Sequence, residues 1–255
     1  MTNQDILKIA MRQSAYDSGC SPDDFLSSEN KVVISRKNKN ARKYLELPFY
    51  CDLTSYGNCI VGSVSTELKE TVEEYINKYP IEHCFETPNL IAFQDKLKRF
   101  DMNVCFMAEY FLPDLTILKP ISCEYEVRLL NPSDFADCYT RQWSNALCEK
   151  RKHLDVLAAA AFDCGKMIGL AGGSADCDAM WQIGVDVLPE YRRKGVASAL
   201  TSALAAEIIR RDKVPFYCCA WSNLKSARNA IKSGFKPAWV QLTVKKNEFI
   251  DEINK

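Results

Sequence analysis

The sequence predicts a mixed, three-layer α/β chain with a mostly antiparallel central sheet, preceded by a smaller α+β portion. Three observations carry this expectation. From about residue 125 the apolar pattern runs strand, helix, helix, three antiparallel strands, helix, strand, helix, strand. Within that run, residues 185–197 read Val-Asp-Val-Leu-Pro-Glu-Tyr-Arg-Arg-Lys-Gly-Val-Ala, an apolar strand, a basic turn and a small-residue helix start. Upstream of a Pro-marked boundary at residues 113–120, helices and strands are mixed without repeats or low-complexity tracts. The expected domains are therefore 1–118 and 119–255.

In the first portion, residues 5–16 place Ile6, Ile9 and Ala10 on one helical side. Ser21-Pro22-Asp23-Asp24-Phe25 is a turn leading to a further helical turn. Residues 31–35 and 58–64 are short strands, and 67–78 is a helix after Ser65-Thr66. Residues 90–100 are a second helix, and 104–112 an aromatic-rich strand. Glu86 and Glu109 lie among aromatics, a setting that suits a cationic amine but equally a turn cap and a strand surface.

The second portion opens on the alternating strand 125–130, followed by Asn131-Pro132-Ser133-Asp134, a helix-start signal. A helix is expected over 142–152. Strands 157–162 and 167–172 are joined by Asp163-Cys164-Gly165-Lys166, with Gly165 available for positive φ. Strand 180–187 stops before Pro189, which has no N–H to give a ladder. Val196, Leu200, Leu204 and Ile208 then recur at helical spacing. Strand 214–220 and a helix from Asn223 to Gly234-Phe235 complete the pattern.

The 185–197 segment has the attributes of a phosphate cradle. Gly195 and Ala197 let first-turn N–H groups approach an anion, the helix dipole favours its charge, and Arg192, Arg193 and Lys194 add cations. Neither Gly-x-x-x-x-Gly-Lys-Ser/Thr nor Gly-x-Gly-x-x-Gly is present. Arg192, Gly195 and Ala197 instead match Arg/Gln-x-x-Gly-x-Gly/Ala, after a strand ending Val-x-Pro. This resembles the acyl-CoA pyrophosphate loop of the GNAT superfamily of N-acetyltransferases, over about residues 125–244, and the first portion more loosely resembles a bacterial zwittermicin-resistance-like group.

The resemblance implies a GNAT acyltransferase fold, acetyl-CoA as acyl donor and a small-molecule amine as acceptor. It places Val185, Val187, Arg192, Arg193, Lys194, Gly195, Val196, Ala197 and Ser198 at the cofactor, with Asn223, Ser226 and Arg228 near the pantetheine arm and phosphates. Asn223 reads equally well as a helix N-cap. Trp143, Asn145 and Trp181 are candidate acceptor contacts, although a buried Trp is more often core. Two family positions depart from pattern. Trp181 stands where several members have Glu, leaving Asp186 and Asp176 as candidate bases, with Asp178 nearby. Ala230 stands where many have a Tyr acid, and Tyr217 and Ser222 do not match that position. The alternative is a catalytically inactive CoA-binding or regulatory protein that keeps the cradle.

Composition narrows the remaining classes. The chain has 33 Lys plus Arg against 33 Asp plus Glu, so its zero formal charge does not favour a nucleic-acid partner. Twelve cysteines lie partly inside apolar runs, no Cys-x-x-Cys pair occurs, and His83 and His153 stand apart, so no metal is expected. The polar first residues lack a signal-peptide core, and no apolar stretch is of membrane-spanning length. A cytoplasmic protein without nucleic-acid or membrane partners is expected, with a homodimer left open.

Overall fold

In a computed structural model describing all 255 residues, the chain order is α1 (Asn3–Ser18), β1 (Lys31–Ile34), β2 (Cys51–Ser55), β3 (Ile60–Val64), α2 (Lys69–Ile76), α3 (Thr87–Leu97) and β4 (Met102–Pro113). It continues through β5 (Glu126–Leu130), β6 (Asp155–Asp163), β7 (Lys166–Ser174), β8 (Met180–Val187), α4 (Val196–Arg210), β9 (Val214–Ala220), α5 (Leu224–Lys232), β10 (Phe235–Lys246) and α6 (Asn247–Ile253). The mixed α/β class is as the sequence predicts. The chain divides into two compact units, one of Met1–Ile9 with Tyr110–Pro237 and one of Ala10–Glu109 with Ala238–Lys255. Both ends therefore differ from the expected 1–118 and 119–255 assignment. At the C-terminal end the reason is the length of β10, whose Val240–Val244 stretch pairs antiparallel with β2.

In the unit of residues 110–237, the strand order is β9-β8-β7-β6-β5, antiparallel except for the parallel β8/β9 pair. Strand alternation sends Leu157, Ala159 and Ala161 of β6 to one face, where Val196, Leu200, Leu204 and Ile208 of α4 cover them. Ala158 and Ala160 face the opposite core with Phe135, Trp143, Ala146 and Leu147. The small β6 and β7 residues let α4 lie close. A Cβ at Gly169 would meet Val196 at 2.9 Å and Leu200 at 3.0 Å.

The two helices expected between β5 and β6 are absent as α-helices. The Asn131-Pro132 signal yields one 3-10 turn (Pro132–Phe135), with the Asp134 carboxylate accepting from Asn131 N at 2.8 Å. Residues 142–152 form two separate 3-10 turns, Arg141–Trp143 and Glu149–Leu154, with Cys148 extended between them. The helical ladder fails because its donors go elsewhere: Asn145 N and Ala146 N to the Asp186 carboxylate, and Cys148 N to that of Asp155.

In the other unit, β1, β3, β2 and β10 are neighbours in that order, with α2 and α3 contributing to a core around Leu53, Leu68, Tyr75 and Phe93. Its polar interior is fully bonded at two carboxylates. Asp17 pairs with Arg42 and accepts from Arg42 N at 2.8 Å and Gln13 Nε2 at 3.0 Å. Asp52, on β2 and 1% exposed, accepts from Gln241 at 2.9 Å, Thr243 at 2.8 Å and Thr54 at 3.1 Å.

Burial pushes the Asp52 carboxyl up to about 6 from 3.8, against the opposing pull of these donors and of Arg42. The fold therefore favours the neutral acid. Well below pH 3.8 the group is neutral folded or unfolded, and above 6 it is ionised in both; between about pH 4 and 6 the unfolded chain ionises while the native state keeps the proton. Stability should fall by about 3 kcal/mol over that window through this group. Urea unfolding at intervals from pH 4 to 8 should show a shallower decline for Asp52→Asn than for the parent. Equal pH slopes would remove the assignment.

Candidate active site

The site is built on the second half of β8. The parallel register of β8 with β9 covers only Met180, Trp181 and Gln182 against Val214, Pro215 and Phe216. From Ile183 the strands part, leaving Ile183–Val187 without β9 ladder partners, so the edge around Val185 and the Val187 N–H has no β9 partner, while the Val187 carbonyl is taken by Arg192. Gln182 sits at the fork, its Nε2 donating to Cys218 Sγ at 3.1 Å.

Beyond the strand, Leu188 N donates to Ile168 O at 2.9 Å, and the 3-10 turn Pro189–Tyr191 redirects the chain. Arg192 Nε folds back to Val187 O at 3.0 Å. Arg193 and Gly195 adopt left-handed φ values of 64° and 80°, so the turn reaches α4 with Gly195 as N-cap. Such a conformation costs a glycine little. A Cβ at Gly195 would meet nothing within 4 Å, so the space before the helix end is open. Ala199 N is bonded to Gly195 O at 3.0 Å, while the first-turn N–H groups ahead of it lack intrahelical acceptors. Ser198 is buried with its hydroxyl on Gly195 O at 3.1 Å. Lys194 Nζ lies 5.0 Å from the Tyr191 ring centroid and 3.2 Å from Tyr125 Oη, an aromatic seat that holds the cation at the turn. The strand edge, the Arg192–Lys194 turn and the start of α4 thus lie together.

The second group of expected residues is mixed. Asn223 does cap α5, its side chain accepting from Ser226 N at 3.2 Å. Ser226 Oγ is 2.8 Å from Tyr217 Oη, and burial raises the Tyr217 phenol above its ordinary range. Arg228 is exposed and makes no ion pair. Tyr217 lies on β9 just past the fork, which brings a hydroxyl pair rather than a lone residue to that side.

The carboxylates separate clearly. Asp176 is fully buried, with Oδ1 3.1 Å from Arg151 Nη1 and 3.2 Å from Ser174 Oγ, while Asp178 is exposed. Asp186 is half-buried on the unpaired stretch of β8 and accepts three hydrogen bonds from Asn145 and Ala146. Trp143 is 5% exposed in the core beside β6 and β7, and Trp181 packs half-buried against the α4 core, so neither is an open surface. Asn145 is exposed and joined directly to Asp186. Gln182 was not singled out in the sequence, although alternation puts Gln182, Gly184 and Asp186 on one strand face and could have found it.

The sequence profile of GNAT acetyltransferases matches residues 56–238. The chain belongs to the GNAT acetyltransferase family. The match includes β8, the cradle and α5, and reaches upstream as far as Tyr56. A comparison with curated proteins found no match. Solved structures similar to this GNAT chain include a GCN5-related N-acetyltransferase-like protein from Streptococcus suis 89/1591 (19% identity, 62% of this chain and 69% of that one, TM-score 0.44). Others are a GCN5-related N-acetyltransferase from Kribbella flavida (12%, 62% and 63%, TM-score 0.46) and a GNAT-family acetyltransferase from Colwellia psychrerythraea (13%, 56% and 57%, TM-score 0.44). This chain spans less than two thirds of the last two. No helix is long and apolar enough to cross a membrane, and no three His, Cys, Asp or Glu side chains group as a metal site.

Proposed function

We propose that this GNAT protein transfers an acetyl group from acetyl-CoA directly to the amine of a small molecule. The observation that carries the reading is the junction of the parted β8/β9 strands with the left-handed Gly195 turn opening α4. An extended pantetheine arm suits the unpaired β8 edge. The pyrophosphate suits the first-turn N–H groups at Val196, Ala197 and Ser198, with Arg192, Arg193 and Lys194 supplying charge. Asn223, Ser226 and Arg228 complete the cofactor side of the proposal, and Asn145 its acceptor side.

The chemistry asks little covalent work of the chain. An ammonium loses one proton to solvent, its nitrogen bonds to the acyl carbon, and as the C–S bond breaks the nitrogen gives up a second proton, so that an amide is left and the CoA thiolate is protonated. In this reading a β8 backbone N–H near Val185 or Val187 would stabilise the oxyanion. The Tyr217–Ser226 hydroxyl pair, one residue beyond the last β9 position paired with β8, is the proposed proton donor to the thiolate. No cysteine is required as nucleophile, and the reading needs no metal.

Calorimetry with acetyl-CoA on the purified protein tests the proposal, followed by thiol release in the presence of primary amines. Micromolar binding with amine-dependent thiol release is the expected result. Absence of binding at millimolar acetyl-CoA would overturn it.

A further inference from the structure

We propose that Asp186 is a positioning residue, which clamps residues 143–147 and aims Asn145 Oδ1 outward as the atom that accepts an N–H from the incoming amine. This rests on the acyltransferase reading and deepens it at the acceptor side. The bonding of Asp186 is the first ground. Its Oδ2 accepts from Asn145 N at 2.8 Å and from Ala146 N at 2.9 Å, and its Oδ1 from Asn145 Nδ2 at 2.7 Å. Three of roughly four acceptor positions on the carboxylate are thus taken by the protein itself. A general base needs an oxygen turned to the substrate, and here Oδ2 is turned to the 145–146 backbone and Oδ1 to the Asn145 side-chain amide.

The second ground is the sheet beneath. A Cβ at Gly184 would fall on the carbonyl oxygen of Asn145, and one at Gly172 on that of Ala146. The segment therefore lies flat on two adjacent strands, carbonyls against the glycines and N–H groups against Asp186. Buried Trp143 and Leu147 anchor its flanks, and Cys148 N is held by Asp155 Oδ2 at 3.1 Å. Residues at such closely approached glycines leave no room for a side chain, so the segment has one seat.

The third ground is the amide. Nitrogen faces the carboxylate because only the NH₂ end can donate to it, which turns Oδ1 of this exposed side chain away from Asp186. Asp186 belongs to the half of β8 that pairs with β7 but not with β9, so Asn145 stands one side chain from the strand that would frame the thioester. An amide oxygen there receives an N–H donor from either an ammonium or a neutral amine. The substrate class it fits is a primary amine, held by a hydrogen bond rather than by a counter-ion.

Amide hydrogen exchange, acetyl-CoA calorimetry and kinetics with phenethylamine and spermidine as probe acceptors, on the parent, Asp186→Asn, Asn145→Ala and the double variant, test the proposal. In Asp186→Asn, exchange at Asn145 and Ala146 should accelerate about tenfold or more while α4 stays protected. Acetyl-CoA affinity should hold within about twofold, and the KM for amine should rise about tenfold with the pH profile of kcat unchanged in shape. Asn145→Ala removes an exposed side chain without unfolding risk and should raise KM similarly, and the double variant should add little. Unchanged exchange would remove the clamp, and a kcat loss of about 100-fold with a vanished pH limb and unaltered KM would make Asp186 the base; either result overturns the proposal. If neither probe is acetylated, exchange alone decides the clamp. Failure of the parent to bind acetyl-CoA would instead sink the acyltransferase reading.

Discussion

Gly195→Glu should lose acetyl-CoA affinity by about 100-fold or more, roughly 3 kcal/mol, in calorimetry against the parent. The backbone there holds φ at 80°, where a side chain is strained by about 1–3 kcal/mol, and its Cβ would project into the open space before α4. The Glu carboxylate would occupy the approach of an anion to the helix end. That same charge is favourable to the helix dipole, so the fold should tolerate it better than the ligand does. Gly195→Asn separates the two effects, since Asn is neutral and visits left-handed φ more readily. It should retain more affinity than Glu. Near-parent binding by a folded Glu variant would mean that the pyrophosphate does not lie at Gly195.

Gly184→Ala should destabilise the protein by about 2–4 kcal/mol, the range of overpacking combined with a displaced polar segment. A single methyl suffices because it would land on a backbone carbonyl rather than on a flexible side-chain end. Gly172→Ala should behave alike, since it meets the Ala146 carbonyl and comes within 3.0 Å of Leu147. Gly165→Ala is the contrasting case. Its Cβ meets nothing within 4 Å, and only its φ of 84° is strained, so a cost of about 1 kcal/mol is expected. Urea midpoints at one pH compare all three. If Gly184→Ala costs no more than Gly165→Ala, residues 145–146 do not rest on the sheet as described.

The parts of this fold that the sequence predicts well are those with local punctuation. β8 ends where Pro189 removes a donor, and α4 begins where Gly195 permits the left-handed turn, so both were legible from neighbouring residues. β9 likewise occupies the expected span. Residues 142–152 were misread because their apolar spacing is helical, whereas their N–H acceptors lie on Asp186, about forty positions away, and on Asp155. β2 escaped notice because a buried strand carrying Asp52 and Thr54 hides its alternation; its polar side chains are satisfied by Gln241 and Thr243, far along the chain. The candidate site divides in the same way. The cradle is contiguous and could be read directly, but the partners of Asp186 and Gln182 exist only once β8 is set beside other segments.

The alanine and glycine floor beneath α4 bears on how an anion would be received. With Val196 and Leu200 seated over Gly169, the first turn has no slack to slide or tilt as a ligand arrives. Its amide dipoles already share one direction, and the ordering entropy of association is confined to the exposed arms of Arg192 and Arg193. On the proposed reading, binding at such an end is expected to need no rearrangement of the helix. For the proposed anion, the association rate should then fall as ionic strength rises and scale inversely with solvent viscosity, as a diffusional encounter steered by charge does.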